Sequence, residues 1–414
     1  MKPTLIFSAL LMAGMAPSQA AEPSLKEIHQ LLKAQQARIE QLEKELAATR
    51  KASEQALEKA ASADEKAEIL ADMEPAGGTH GHGGQPGSTH LGGYGELHVN
   101  LLNNQKTGGT DKNETDFHRF VLYVGHDFSD RVRFASELEV EHSEAGDGAP
   151  GEVAMEQAYL EFDHAGGNYS RAGILLVPVG FINETHEPDT FYGVERNNVA
   201  KYILPSTWAE GGYQFHWQLN DTLGADFLLT TGLETSAGNN YNVRKGRTKV
   251  AEAPFDNPAF TARALWKPMP ATEVNATFMY QSDITQGSDP SAGSATLFSV
   301  GAQYQPAQGP GLRAVYATWS LDGVGPASLG ADRQTGYYLE PSYRLNSQWG
   351  FFARYGFWDN QAGDDADSEY SQMDLGVNYW PTERVVVKLD YQNQSTPDGR
   401  NEYDGINLGV GYQF

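Results

Sequence analysis

The chain has 414 residues and a formal net charge of −24 at pH 7. Nucleic acids bind to basic surfaces, so this charge excludes a nucleic-acid partner. The absence of cysteine excludes a disulfide framework and a thiolate metal site. Beyond the N-terminus the sequence contains no run of 18 apolar residues, so it predicts no membrane-spanning helix.

Residues 1–21 have the pattern of a secretory signal peptide. Lys2 supplies a positive charge, residues 5–14 form an apolar segment, and Ser18-Gln19-Ala20 is a small-x-small cleavage site. The alternative, a membrane anchor, is disfavoured because the apolar segment is too short to span a bilayer. We therefore expect an exported protein whose mature chain begins near residue 21 or 22.

Residues 22–74 contain a heptad pattern that predicts an α-helical coiled coil. Apolar residues recur at alternating spacings of three and four from Leu25 to Leu70, first as large aliphatic residues and then mainly as alanine. One helix of this length, about 70 Å at 1.5 Å per residue, cannot bury such a stripe alone. The stripe predicts self-association or docking on a periplasmic or cell-wall partner, with a single solvated helix as the alternative.

Residues 75–90 are predicted to be a Gly- and His-rich linker, because Pro75 ends the helix. The linker contains His80, His82 and His90, and imidazole is a ligand for zinc, copper and nickel. Two interpretations stay open. The histidines bind a divalent metal, which would be the protein's only cofactor, or the linker is a flexible segment without a ligand.

From residue 91 to residue 414 the apolar pattern changes to a period of two, which is typical of β-strands. A soluble sandwich has the same alternation, but here short turns and long connections follow each other in turn. An even number of strands with that pattern predicts an all-β transmembrane barrel of about 16 antiparallel strands. The predicted strands are 91–102, 116–128, 131–142, 152–163, 168–177, 209–219, 222–234, 259–268, 272–283, 294–305, 311–321, 333–345, 348–359, 369–380, 383–395 and 402–414.

Aromatic residues support a membrane location for this barrel. Some tryptophans lie beside the short turns, and others lie at the strand ends on the opposite side of the barrel. This placement predicts an aromatic girdle at each membrane interface. The alternative is that these aromatic residues are scattered through a core. The first group is Trp217, Trp266, Trp349 and Trp380, and the second is Trp319 and Trp358. The C-terminal segment 409–414, which ends in Phe414, resembles the signal by which outer-membrane proteins are recognised for insertion.

The coiled coil, linker and sixteen-stranded barrel together resemble the phosphate-selective porin O and P family. The most motif-like stretch, residues 180–196, is similar to the segment that enters the third long loop of such porins. The resemblance implies a homotrimer in the outer-membrane bilayer, a coiled coil in the periplasm, and an inward-folding loop 178–208 that narrows a pore for small polar or charged solutes. Residues 91–414 contain 42 acidic and 21 basic residues, a departure from arginine- and lysine-lined phosphate pores. We therefore expect a preference for cations.

A pore requires a constriction of suitable charge and width rather than a catalytic site. No common catalytic motif occurs, so we expect no enzyme. Facing acids and bases at the constriction would create a transverse field that aligns polar solutes, although each candidate could instead be a solvated wall residue. The candidates are Arg119, Arg133, Glu137, Glu139, Glu141, Glu161, Arg171, Glu184, His186, Glu187, Asp189, Glu195, Arg196, Lys388 and Asp390. Two other functions stay open, namely divalent-metal uptake through the histidine linker and acidic lumen, and a structural envelope tether with a plugged barrel.

Overall fold

The computed structural model describes residues 86–414. The predicted signal peptide, the predicted coiled coil and most of the linker, including His80 and His82, lie outside the described residues. Residues 86–414 form sixteen strands, each paired antiparallel with its neighbours in the chain, and β1 pairs with β16 to close a barrel. The strands are β1 Thr89–Asn104, β2 Lys112–Ser129, β3 Val132–Glu141, β4 Val153–Asp163, β5 Tyr169–Leu176, β6 Ala209–Gln218, β7 Leu223–Thr230, β8 Ala259–Trp266, β9 Thr272–Gln281, β10 Ala295–Tyr304, β11 Gly309–Leu321, β12 Arg333–Arg344, β13 Trp349–Asp359, β14 Tyr370–Thr382, β15 Val385–Ser395 and β16 Tyr403–Gln413.

The sixteen predicted strands are confirmed, with differences at their ends. β1 begins at Thr89 and therefore includes His90, which the sequence had assigned to the linker. β7 ends at Thr230, whereas the prediction extended it to residue 234. The chain leaves the sheet there because Gly232 has a φ of 80°, a conformation that favours glycine, and Leu233 then turns into the interior and is fully buried.

Side-chain exposure is inverted relative to a soluble protein. On β15, Val387, Leu389 and Tyr391 are 41%, 43% and 48% exposed, whereas the intervening Lys388 and Asp390 are 2% and 4% exposed. Apolar side chains on the outer face and charged side chains on the inner face are the arrangement of a barrel surrounded by lipid.

The predicted tryptophan girdle is confirmed only at the rim that carries the short turns. Trp217, Trp266 and Trp349 point outward and are 49%, 48% and 39% exposed. The prediction is wrong for Trp319, Trp358 and Trp380, which lie on the inward phase of their strands and are buried. Trp319, for example, donates a hydrogen bond from Nε1 to the backbone carbonyl of Ile203 inside the barrel, at 2.9 Å.

Several connections between strands contain short helical segments. These are the α-helices α1 Val199–Tyr202 and α2 Val324–Ala327, and the 3-10 helices Ala165–Gly167, Ala237–Asn239 and Val243–Gly246. Within residues 86–414, no helix has the length and apolar character needed to cross a membrane. The connection between β5 and β6, residues 177–208, is the one that determines the shape of the interior, and we call it the inward loop.

Candidate pore constriction

The inward loop lies inside the barrel and is held there by hydrogen bonds from the wall to its backbone. Four strands each donate a side-chain hydrogen bond to a loop carbonyl, β2 and β15 from one side of the barrel and β9 and β11 from the other. The pairs are Arg119 to His186 at 2.6 Å, Thr277 to Pro178 at 2.9 Å, Trp319 to Ile203 at 2.9 Å and Lys388 to Gly193 at 2.8 Å. Because these donors approach from different sides, they fix the path of the loop across the interior.

Apolar packing fills the part of the interior next to β9–β13. Val177, Ile203 and Trp208 of the inward loop form one buried cluster with inward-facing side chains of these strands, such as Leu297 and Val315. The rings of Trp208 and Trp319 are 5.8 Å apart. Close-packed apolar side chains exclude water, so water is excluded from the region that this cluster occupies.

The other half, next to β2–β6, is polar. The Glu139 and Glu141 side chains project inward from β3, and among the described residues neither carboxylate forms an ion pair or a side-chain hydrogen bond. Burial and the neighbouring Arg244 guanidinium lower the pKa of Arg247 to about 10, and the Glu141 carboxylate acts in the opposite direction. Acidic groups on β3 and basic groups on a facing loop therefore influence each other without direct contact.

All fifteen sequence-predicted constriction residues lie inside the barrel, on inward strand positions or on the inward loop, and they form two groups. The half-buried group keeps contact with the lumen and comprises Arg133, Glu141, Arg171, Glu184, Asp189, Glu195 and Arg196. The buried group comprises Arg119, Glu137, Glu139, Glu161, His186, Glu187, Lys388 and Asp390. Whether these residues set the width of the pore stays a prediction.

Several buried members hold the inward loop rather than line open water. Asp390 accepts a hydrogen bond from the backbone N–H of Val194 at 2.6 Å. Lys388 combines its hydrogen bond to Gly193 with a position 3.6 Å from the centre of the Phe191 ring. A buried charged side chain with such partners holds the inward loop in place.

Ion pairs between the inward loop and the wall include those of Glu195 and Glu184. The Glu195 carboxylate lies 3.2 Å from Nδ1 of His98 on β1. Burial alone would raise the pKa of the Glu195 carboxyl, but the His98 imidazole holds it well below its usual range. At the other end of the loop, Glu184 pairs with Arg263 of β8, which also binds Asp226 at 2.7 Å.

Sequence reasoning missed three residues at the loop. Arg354 of β13 donates hydrogen bonds to the Tyr192 and Glu195 carbonyls, both at 3.2 Å. Arg354 and Arg263 lie on the inward phase of their strands, so the alternation contained the signal that identifies them. Glu156 faces the interior because of a β-bulge in β4, and no pattern in the sequence marks that bulge.

Histidines also gather inside the barrel. His118 and His142 both bind the Asp116 carboxylate, at 3.2 Å and 2.9 Å, and the His118 ring stacks on His98 with the ring centres 4.5 Å apart. His90, which the sequence had grouped with the linker histidines, instead points to Asp127 on β2 at 2.7 Å. His90, the one histidine of the predicted linker site within the described residues, is therefore bound to the barrel wall.

A closed barrel with an apolar outer surface, a polar interior and a loop folded across that interior defines a channel of the outer-membrane type. Residues 92–414 match the phosphate-selective porin O and P family, and the chain belongs to this family. The family match and the sixteen-stranded barrel confirm an outer-membrane porin that allows passive diffusion, and they do not support metal uptake or a plugged tether.

The chain is also similar to individual proteins in sequence or in fold. A protein of Aquifex aeolicus (strain VF5), described only as uncharacterized, is 29% identical over 342 residues, which are 73% of this chain and 74% of that protein. The fold is similar to the outer membrane channel DcaP of Acinetobacter baumannii, with a TM-score of 0.56, 14% identity and coverage of 82% of this chain and 100% of that chain. It is also similar to the anion-selective porin from Comamonas acidovorans, with a TM-score of 0.55, 14% identity and coverage of 79% and 99%. At such identities the two structures show the fold alone.

Proposed function

We propose that small polar and charged solutes diffuse through a water-filled passage between the inward loop and strands β2–β6, with a preference for cations. The division of the interior carries this proposal. The inward loop packs on β9–β13 through apolar side chains, and unpaired carboxylates project from β3 on the opposite side. A passage for polar solutes follows the polar half, because moving a charge through an apolar region costs far more.

The charges along this passage favour solutes that have a dipole moment, because the field between the charges aligns them. Glu139 and Glu141 project from β3, whereas Arg196 and Arg247 lie on loops that face the same space. Opposite charges on two sides of a narrow aqueous gap create a transverse field, and a low-dielectric wall strengthens it. A small solute with both a positive and a negative group fits this field best.

A preference for cations is supported by the charge balance of the barrel. The 42 acidic residues of segment 91–414 exceed its basic residues two to one. Wall cations such as Arg119 and Lys388, which in principle attract anions, are bound to the inward loop and do not face open water. In its proposed preference for cations, this chain therefore differs from the family description, which is phosphate-selective.

The reversal potential in asymmetric potassium chloride tests the proposal on the full-length protein in a planar bilayer. A carboxylate about 8 Å from a passing cation attracts it by about 0.5 kcal/mol in water, so removing two of them lowers cation accumulation by about two- to five-fold. We expect the Glu139→Gln/Glu141→Gln variant to reduce the cation preference by that factor. Glu383→Gln, in the exposed turn between β14 and β15, is the control and leaves the ratio unchanged. Anion preference of the natural protein contradicts the proposal.

The assembly and the N-terminal segment complete the proposal. After removal of residues 1–21, residues 22–74 form a periplasmic coiled coil that supports a homotrimer, because its apolar stripe requires a partner. Native mass measurement of the full-length protein in detergent tests this. We expect a trimer whose dissociation is promoted by Leu42→Asp/Leu46→Asp in the stripe, and a monomeric natural protein contradicts it.

A further inference from the structure

A compact group of side chains on the inner wall is not required for passive diffusion. Glu137 of β3, Glu156 of β4 and His186 of the inward loop are 5%, 3% and 2% exposed. One potential ligand atom from each lies within 4.8 Å of the others. Nε2 of His186 is 3.2 Å from a Glu156 oxygen and 3.9 Å from a Glu137 oxygen.

A β-bulge creates this group. Glu137 pairs with Gln157, but the next residue of β3, Leu138, pairs with Met155, so Glu156 is an extra residue in β4. Its side chain points inward beside that of Gln157 rather than toward lipid. Bulges redirect side chains in this way and are frequent next to functional sites.

Two oxygen atoms of the group have no partner. Glu137 accepts a hydrogen bond from Gln157 at Oε1, but its Oε2 is buried without a hydrogen bond. Glu156 accepts a hydrogen bond from the Tyr94 hydroxyl at Oε2, at 3.4 Å, and the same oxygen lies 3.2 Å from Nε2 of His186, but its Oε1 is buried and unpaired. A buried carboxylate oxygen without a partner is costly, and two in one place indicate a missing positive charge.

The two nearby arginines do not contact these oxygens. Arg196 donates a hydrogen bond to the Thr207 hydroxyl at 2.9 Å. Arg119 binds Glu96 at 2.5 Å, the Tyr94 hydroxyl at 2.7 Å and the His186 carbonyl at 2.6 Å, which engages all three guanidinium nitrogens. Among the described residues, no arginine or lysine forms an ion pair with Glu137 or Glu156. Glu187, whose carboxylate accepts a hydrogen bond from Tyr123 at 3.3 Å, adds further negative charge.

The orientation of His186 matches that of a metal ligand. Its Nδ1 lies 3.1 Å from the Asn183 carbonyl, and only an N–H can donate to that oxygen. In the neutral ring Nε2 then carries a lone pair and faces the two carboxylates. A histidine that binds a metal through one nitrogen usually donates the other N–H to a carbonyl or carboxylate, which fixes the ring.

We propose that Glu137, Glu156 and His186 bind a divalent transition-metal ion, Zn²⁺ or Mn²⁺, which fastens the inward loop to β3 and β4. One imidazole and two carboxylates are a mixed nitrogen and oxygen donor set suited to these ions. The imidazole disfavours Mg²⁺ and Ca²⁺, which take oxygen ligands. The site is a structural clamp beside the passage, and none of its three ligands belongs to the linker, residues 75–90.

The test is metal binding by the full-length protein in detergent, stripped with a chelator and dialysed against Zn²⁺ or Mn²⁺ alone. We expect one ion per chain at this site, and Glu156→Gln or His186→Gln to weaken it at least about tenfold. The controls are His118→Gln/His142→Gln, which removes the other histidine group, and His80→Ala/His82→Ala, and both retain the ion. Excess Mg²⁺ or Ca²⁺ does not displace it.

Thermal unfolding separates loss of the site from loss of the fold. Zn²⁺ or Mn²⁺ raises the Tm of the natural protein, and His186→Gln, on a loop outside the strands, keeps the barrel but loses this rise. A natural protein that binds neither ion overturns the proposal and leaves a proton shared by the two carboxylates as the missing charge. Binding that survives both Glu156→Gln and His186→Gln, or disappears in a control, also overturns it.

Discussion

Lys388 of β15 donates a hydrogen bond from Nζ to the backbone carbonyl of Gly193, at 2.8 Å, where the inward loop crosses the barrel. The same ammonium lies 3.6 Å from the centre of the Phe191 ring. A lysine that is 2% exposed therefore has its positive charge satisfied by loop backbone and an aromatic face. These two contacts of Lys388 hold the inward loop against the barrel wall.

Replacing Lys388 with methionine is expected to loosen the inward loop. A hydrogen bond from a charged group contributes about 1.5–3 kcal/mol, so states with a displaced loop become more populated by roughly ten-fold or more. In single-channel recordings the variant shows more frequent brief closures, because the loop moves into the passage. Arg384→Met, in the exposed turn that precedes β15, is the control for loss of a positive charge. Equal closure rates in the two variants contradict this role.

The contact between Glu195 and His98 predicts a defined pH dependence. The folded pKa of the Glu195 carboxyl is lowered, so its stabilising effect is complete above its unfolded pKa, about 4.3, and is lost as the pH falls toward the folded value. The difference in Tm between the natural protein and Glu195→Gln is expected to stay constant from pH 6 to pH 5 and to shrink below about pH 4.5. A difference in Tm that grows below pH 4.5 has the opposite sign and contradicts an ion pair between Glu195 and His98.

The outer face of β15 predicts a depth-dependent cost of charge. Leu389 is 43% exposed on the lipid-facing phase, and a lysine at the bilayer midplane destabilises a barrel by about 2–4 kcal/mol but near the interface by about 0–1 kcal/mol. Leu389→Lys is therefore expected to lower the free energy of unfolding more than Asn393→Lys, which lies on the same face closer to the strand end. Urea unfolding in lipid vesicles measures both, and equal effects contradict the lipid-facing assignment.

The sequence was sufficient for the barrel because a strand repeats its environment every two residues. Lys388 and Asp390 alternate with Val387, Leu389 and Tyr391, so the alternation by itself identifies the inward positions. The same alternation places Arg354 and Arg263 on the inward phase of their strands.

What the charged positions do could not be predicted from the alternation. Lys388 and Arg119 were expected to line the pore, but they bind backbone carbonyls of the inward loop. Every residue has a carbonyl group, so no sequence pattern identifies which one a distant side chain will meet. The inward position of Glu156 was not predicted because one extra residue in β4 reverses the alternation of inward and outward side chains. The inward position of Trp319 was not predicted because an aromatic ring suits a membrane interface and a buried core equally well.

Single-cysteine labelling tests most directly whether solutes pass along the polar half of the barrel. The natural chain has no cysteine, so one introduced thiol is the only target. A charged, water-soluble thiol reagent is expected to reduce the single-channel current of Glu141→Cys, a half-buried position on the polar side, and to leave Val315→Cys, in the apolar cluster, unchanged. A current that falls for Val315→Cys but not for Glu141→Cys, or a natural protein that carries no current, contradicts the account.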